Sequence, residues 1–288
     1  MSEPGRRQSA VPRAEIEQRL AEVGRLDDAA IDLAETALVL AALDRPRIGL
    51  SRYSHHLSLL ARDTADVGGK AGAAQSLAAR IATLAEVIAG RYSYEGDRLT
   101  YDDLQNANLM RVIDRRKGLP VALGILFLHA AHAQGWEAEG LDFPGHFLVR
   151  LTLDGTRAIL DPFEGGVERN PAELRQLVKA VIGAEAEPQP RHFAPLGSRG
   201  VLLRLQNNIK LRLVQEERSA DALAVVETML RFAPGEVPLW REAGILQAHL
   251  GKLKAARGSL ERYLEASGAR EGRSEILTLL QQVKSRLN

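Results

Sequence analysis

The chain has 288 residues, with 38 Lys plus Arg set against 37 Asp plus Glu, a formal net charge of +1 and no cysteine. That length accommodates about two domains. The balanced charge argues against a nucleic-acid-binding field, and the absence of thiols excludes disulfides, cysteine-based zinc sites and a cysteine nucleophile.

No apolar run approaches the ~20 residues that span a bilayer. The opening MSEPGRRQSAVPRAE carries charge with no apolar stretch behind it, so it does not resemble a secretory signal. Residues 1–13 are expected as a disordered tail, and the cytoplasm as the compartment. A helical region is expected over 14–103. Ile16, Leu20 and Val23 recur at helical spacing, and Ile31, Ala34, Leu38 and Ala41-Ala42 continue the pattern. Gly24 and Asp27-Asp28 divide it, with Asp27 or Asp28 as the cap of the second piece. Arg45-Pro46 ends it. A further helix is predicted over 51–66, then a flexible connection at GGKAG, 68–72, and another helix from Gln75 to Ala89. Residues 91–103 are expected as loop.

The segment 104–182 has the pattern of an α+β core. Leu104 to Lys117 is predicted helical, closed by Gly118. Pro120 suits the first turn of a helix over 120–134, PVALGILFLHAAHAQ, which is apolar all round and therefore central. Three strands follow at 136–142, 146–153 and 157–161, the last two joined by the hairpin signal Asp154-Gly155. A buried helix followed by an antiparallel sheet is an α+β arrangement. Residues 183–199, rich in Pro, Gly and Ala, are expected as a linker. From 200 to 288 the pattern is helical and repeats. Ala222–Glu227 aligns with Ala256–Glu261, and 256 minus 222 is 34. Leu205, Leu211 and Leu230 fall opposite Leu239, Ile245 and Leu264 at the same offset. That is the tetratricopeptide period, which Trp240, Gly244 and Ala255 also fit, with a capping helix expected at 274–287.

The residues with chemistry cluster near two strand ends. FPGHFLVRL places His146 at the mouth of one strand, and ILDPF ends the next on Asp161. A histidine and an aspartate so placed make a candidate catalytic pair. Their plain structural reading is a hydrogen bond pinning two strand ends, with Asp161 as the turn residue before Pro162. His129 and His132 share a helix face. With His146 they offer three metal-type ligands, but there is no His-Glu-x-x-His pattern and no metal or other cofactor is expected. His55-His56 are adjacent and diverge. Arg115, Arg116 and Lys117 either complement a helix C-terminus or form a basic rim for a carboxylate or phosphate. Arg116 paired with Asp114 or Glu164 is the structural alternative. Gly165-Gly166 permit positive φ after Asp161, and no phosphate loop is present.

The stretch YDDLQNANLMRVIDRRKGLPVALGILFLHAAHAQGWEAEGLDFPGHFLVRL, with LDPFEGG after it, resembles the SirB-type transglutaminase-like proteins with C-terminal tetratricopeptide repeats. The likeness runs over roughly residues 30 to 270, and RRKGLP, PGHFLVR and LDPF carry most of it. It implies a papain-like α+β core of the transglutaminase type. In active members of that fold a cysteine opens the central helix, a histidine starts a strand and an aspartate ends the next. The thiolate attacks an acyl group, the histidine moves the proton and the aspartate orients the imidazole. By this resemblance His146 and Asp161 match the last two. The cysteine belongs about fifteen residues before the helix-closing glycine, here Gly135, and that position is Pro120. Gly118, Leu119, Val121 and Ala122 beside it have no nucleophilic atom, and no serine or threonine occurs between Gln105 and Arg150. Asn108 resembles a family position. The expectation is a non-catalytic domain joined to a repeat module, binding a protein partner through the repeats, Trp240 included, and through the cleft at His146. Asn108, Arg115 and Arg116 are the further candidate binding residues. The rival is a hydrolase or amidase in which His146 and Asp161 activate water, with metal-assisted hydrolysis a third reading.

Overall fold

A computed structural model describes residues 11–73, 75–266 and 273–287. Most of the expected N-terminal tail lies outside the described residues. The chain divides into two compact units, one holding residues 27–205 and the other 206–287 together with 17–26.

The first unit is mostly helical around a five-stranded sheet, with a separate two-stranded one. Helices α2 (Leu33–Ala42), α3 (Ser51–Ala71) and α4 (Leu77–Leu84) precede a π-helical stretch over Ala85–Arg91. Strand β1 (Glu95–Gly96) pairs in parallel with β2 (Lys117–Gly118), and α5 (Leu109–Arg115) lies between them in sequence. Helix α6 (Pro120–His132) is the centre, and every residue of it except His129 and His132 is buried. A helix apolar on all sides has no solvent face to offer, so the other elements close around it. Each large aliphatic side chain so buried stabilises the fold by about 1.5–3 kcal/mol.

Strands β3 (Glu137–Leu141), β4 (Leu148–Leu153) and β5 (Thr156–Asp161) form an antiparallel meander, edged by β6 (Val167–Glu168) and β7 (Pro195–Leu196) in the order β6-β5-β4-β3-β7. At the β4–β5 turn Asp154 and Gly155 have φ of 50° and 78°, the paired left-handed conformation of a tight hairpin. Phe147 locks the sheet onto α6. A Cβ on Gly124 of α6 would lie 2.3 Å from its ring, and one on Gly140 of β3 2.6 Å away. The two glycines form the slot that the phenylalanine fills.

Several sequence expectations are corrected here. GGKAG does not interrupt α3. The helix runs through it and closes at Gly72, whose φ of 69° takes the left-handed conformation of a helix stop and whose N–H donates to Gly68 O. The helix predicted over 104–117 is a short 3-10 turn at Leu104–Ala107 followed by α5, and the residue that closes α5 in the left-handed region is Arg116, φ 61°, rather than Gly118. Asp32 caps α2, accepting from the Glu35 N–H at 3.0 Å. Asp28 instead accepts from the Ser198 and Arg199 N–H groups at 2.8 and 2.9 Å, at the start of α8 (Ser198–Gln215). The stretch 183–199, expected as a linker, is built into the first unit. Its Pro195 and Leu196 pair with Leu141 and Gly140 of β3, and an edge strand is where a proline without an N–H belongs. Ahead of it α7 (Pro171–Ile182) starts on an Asn170 capping box.

The second unit carries the repeat. Helices α9 (Ser219–Phe232) and α11 (Leu253–Ala266) each have 14 residues, and 253 minus 219 is 34. Ala222 and Ala256, like Val226 and Leu260, are matched and fully buried. Helix α10 (Val237–His249) crosses α11 closely, because a Cβ on Gly244 would lie 2.5 Å from Leu260 Cδ2. The small residue at the interface is Ala256; the predicted Ala255 is exposed. Helix α12 (Arg273–Ser285) closes the end, its Ile276, Leu280 and Val283 packing with Ala256, Leu260 and Tyr263. At the other end, residues 17–26 of α1 (Arg13–Val23) and its following turn join this unit. Glu17 pairs with Arg231 at 3.0 Å, and Gly24 lies against the Arg231 carbonyl, 2.3 Å from where a Cβ would stand.

Candidate functional site

His146 is placed by what flanks it. Phe147 is held in the α6–β3 slot, and the preceding Pro144-Gly145 turn has Gly145 at φ 65° with Val181 against it. The ring therefore stands at the entrance to β4, its side chain 17% exposed. Asp161 ends β5 and is 1% exposed. Its Oδ1 accepts from His146 Nε2 at 2.9 Å and from the Phe163 N–H at 3.0 Å. Its Oδ2 accepts from Arg169 Nε and Nη2 at 3.1 and 2.9 Å. Burial acts to raise the Asp161 pKa, but the hydrogen bonds and charge of His146 and Arg169 outweigh it and hold the carboxyl below its ordinary range. An ionised carboxylate only accepts, so the proton of His146 is on Nε2. Its Nδ1 makes no hydrogen bond among the described residues and faces away from Asp161.

Arg169 was not foreseen. It enters because β6 continues the hairpin, with the Arg169 N–H donating to Ile159 O at 2.8 Å, and a cation eight residues beyond an aspartate is no motif. The Gly165-Gly166 turn makes that return possible at φ 71° and 85°, the positive values the sequence allowed. Phe163 completes the surround, edge-on to His146 at 6.3 Å and to Tyr101 at 5.8 Å. Where the resemblance puts a thiol stands Pro120, buried at the first turn of α6, among buried Gly118, Leu119, Val121 and Ala122.

The candidate binding residues have other occupations. Asn108 is 3% exposed; its Oδ1 accepts from the Arg111 N–H at 3.2 Å, and its Nδ2 donates to Ala41 O at 3.0 Å, tying α5 to α2. Arg115 donates to Asp97 at 2.7 Å and to Asn106 at 2.8 Å. Asp97 is held well below the carboxylate range: burial would raise it, but bonds from Thr100 and Arg115 prevail. Arg116 does not pair with Asp114 or Glu164. Asp114 binds Arg45 and Arg52, and Glu164 binds Arg98. The Arg116 guanidinium instead donates to the Tyr94 hydroxyl at 2.5 Å and to His56 Nε2 at 3.0 Å, beneath the rings of Tyr92 and Tyr94. Burial, then the Arg116 charge, pushes the His56 pKa down to about 4. Trp240 belongs to the repeat unit, where Nε1 donates to Pro234 O at 3.1 Å and Arg262 stacks 4.6 Å from the ring. His129 and His132 spend Nε2 on the carbonyls of Leu57 and Ala138 at 3.0 and 2.8 Å. No group of three His, Cys, Asp or Glu among the described residues is arranged to hold a metal ion, and no helix among them is long and apolar enough to cross a membrane.

A buried helix backed by a sheet whose strand ends present His146 and Asp161 defines a transglutaminase-like core. The profile of the transglutaminase-like superfamily matches residues 51–207, and a tetratricopeptide repeat profile matches 209–281. The chain belongs to the transglutaminase-like superfamily, in its SirB-type branch with C-terminal tetratricopeptide repeats. A UPF0162 protein of Xylella fastidiosa (strain 9a5c) is 28% identical over 248 residues, 83% of this chain and 85% of the relative. A UPF0162 protein of Vibrio cholerae is 30% identical over 188 residues, 65% of this chain and 69% of the relative. Human F-box only protein 21 is 32% identical over 78 residues, 27% of this chain but 12% of that protein.

Proposed function

We propose that this protein is a non-catalytic transglutaminase-like protein that works by binding a protein partner, with the repeat unit as its main contact surface. The supporting observation is an imidazole oriented as acyl transfer requires, in a chain with no thiol and with Pro120 at the nucleophile's place. Without an attacking atom the acyl-enzyme step has no first bond to form. The repeats supply the surface. Leu211 and Ile245 occupy matched positions, 245 minus 211 being 34, and both are exposed, at 56% and 36%. Apolar side chains held in water at equivalent repeat positions are what a stacked-helix surface presents to a partner. Crosslinking in the native host followed by co-purification tests this. The double variant Leu211→Asp, Ile245→Asp should lose the partner recovered with wild type while its circular dichroism is unchanged. Undiminished recovery overturns the reading.

A second reading is favoured by one observation, the unengaged Nδ1 of His146. A water bound there would have a base oriented by Asp161. Peptide, isopeptide and ester substrates incubated with wild type and His146→Ala decide it. Turnover that falls at least roughly a hundredfold in the variant supports water activation, and equal rates remove it.

A further inference from the structure

The exposed apolar side chains of the first unit are gathered in one place. Among its described residues, the large apolar side chains that stand exposed are Leu99, Tyr101, Val167, Val181 and Ile182. Leu99, Tyr101, Val167 and Val181 are each linked to the His146 site, directly or through Phe163. Val181 lies over the turn before His146, its Cγ2 2.6 Å from where a Cβ on Gly145 would be, and Ile182 follows it. Val167 stands opposite Asp161 in the β5–β6 register. Tyr101 meets Phe163, and Phe163 meets His146, through the edge contacts given above. Leu99, 89% exposed, and Phe163 line a common groove of about 570 Å³. Exposed apolar side chains beside a concave site mark a place of docking.

The charge of the groove narrows the occupant. Its walls carry Glu95, Lys117, Arg98 and Glu164, and these neutralise one another: Lys117 pairs with Glu95 at 3.0 Å and Arg98 with Glu164. The four charges balance, so the groove presents no net field that favours an acidic or a basic ligand over a neutral one. A lipid surface is disfavoured for the same reason, since a groove without net positive charge offers an anionic headgroup no attracting field. The walls nonetheless offer polar atoms suited to amide groups, among them Ser93, which is held at φ 55° in the left-handed region. Non-glycine residues in that region collect at functional sites, as does π-helix, whose Ala89 forms another part of the wall.

We propose that this face, from Val181 past His146 and Phe163 to Leu99, docks an uncharged, apolar segment of a partner polypeptide. The inference rests on the reading of the chain as a protein-binding protein and adds a second contact, separate from the repeats, with its own chemistry.

The test uses the full chain and three short fluorescent peptides of one length. The first contains only Val, Leu, Thr and Gly; the second has Ser in place of Val and Leu; the third has Glu in place of Thr. Anisotropy should show the first binding at least roughly tenfold more tightly than the others. Leu99→Ser with Val181→Ser, both at exposed positions, should weaken it by about the same factor, and Leu211→Asp with Ile245→Asp should leave it unchanged. Equal binding of the three peptides, no binding of any, or full affinity in the Leu99 and Val181 variant overturns the proposal. So does binding to phosphatidylglycerol vesicles in place of peptide, or self-association in ultracentrifugation that Leu99→Ser abolishes. If only the repeat variant loses the peptide, the cleft is excluded while the protein-binding reading stands. If the cleft variant alone loses the peptide but native partner recovery survives the repeat changes, it is the repeat reading that fails.

Discussion

His56 shows how a single side chain carries a pH dependence that no motif announces. Its Nε2 receives hydrogen bonds from Arg116, which can only donate, and from the Tyr94 hydroxyl at 2.7 Å. Tyr92 packs on its ring at 5.2 Å, and His55 and His129 add further repulsion to a second proton. Burial first, and then the charge of Arg116, hold its pKa in the folded protein at about 4 against an ordinary 6.5. The unfolded chain binds the proton first, so the stability contributed by neutral His56 is full above 6.5 and is lost as pH falls from there toward 4. The loss is on the order of 2 kcal/mol once solvent screening is allowed for. Urea midpoints measured at neutral pH and near pH 4 should separate widely in wild type, and by less in His56→Gln. An equal separation in both would place the acid sensitivity elsewhere. The same scale divides what the sequence disclosed about the site. His146 and Asp161 were legible because the first follows a turn signal and opens a strand pattern, and the second closes a strand pattern just before a turn. Arg169 was not, because what brings it to the pair is the course of the β5–β6 return, and its position has no signature of its own.

The elements owe their positions to glycines as much as to apolar faces. The slot for Phe147 exists only because Gly124 and Gly140 have no side chain. Gly124→Ala would put a methyl 2.3 Å from Phe147 Cε1, well inside contact distance, and should cost about 1–3 kcal/mol through overpacking. A fall in the urea midpoint, accompanied by a shifted His146 ring resonance, is the expected result. An unchanged midpoint would mean that the ring does not occupy the slot. Helices α2, α3, α5 and α6 were predictable in kind from their periodicity. Their ends were less so. Gly118 has the residue type for a helix stop, yet the stop is at Arg116, because Gly118 is needed in the β1–β2 pairing, where a Cβ would crowd Val112 at 3.0 Å. The Pro and Gly content of 183–199 gave it the composition of a linker, and only its pairing with β3 identifies an edge strand.

At the scale of the whole molecule the 34-residue period, the apolar α6 and the hairpin at Asp154-Gly155 were all written into local sequence, because each depends on spacing within a few turns of chain. These, with the missing cysteine, determine the class of fold and the loss of the thiol step without any coordinates. Tertiary structure decided the rest. It set the carboxylate of Asp161 between an imidazole and a guanidinium, assigned Asp28 to cap a helix 170 residues away, moved residues 17–26 into the repeat unit and brought Tyr101, Val167 and Val181 toward one histidine. The physical reason is range. Helical and strand periodicity is a property of neighbours along the chain, whereas a hydrogen bond, a packed ring or a shared groove depends on which distant segments the core draws together.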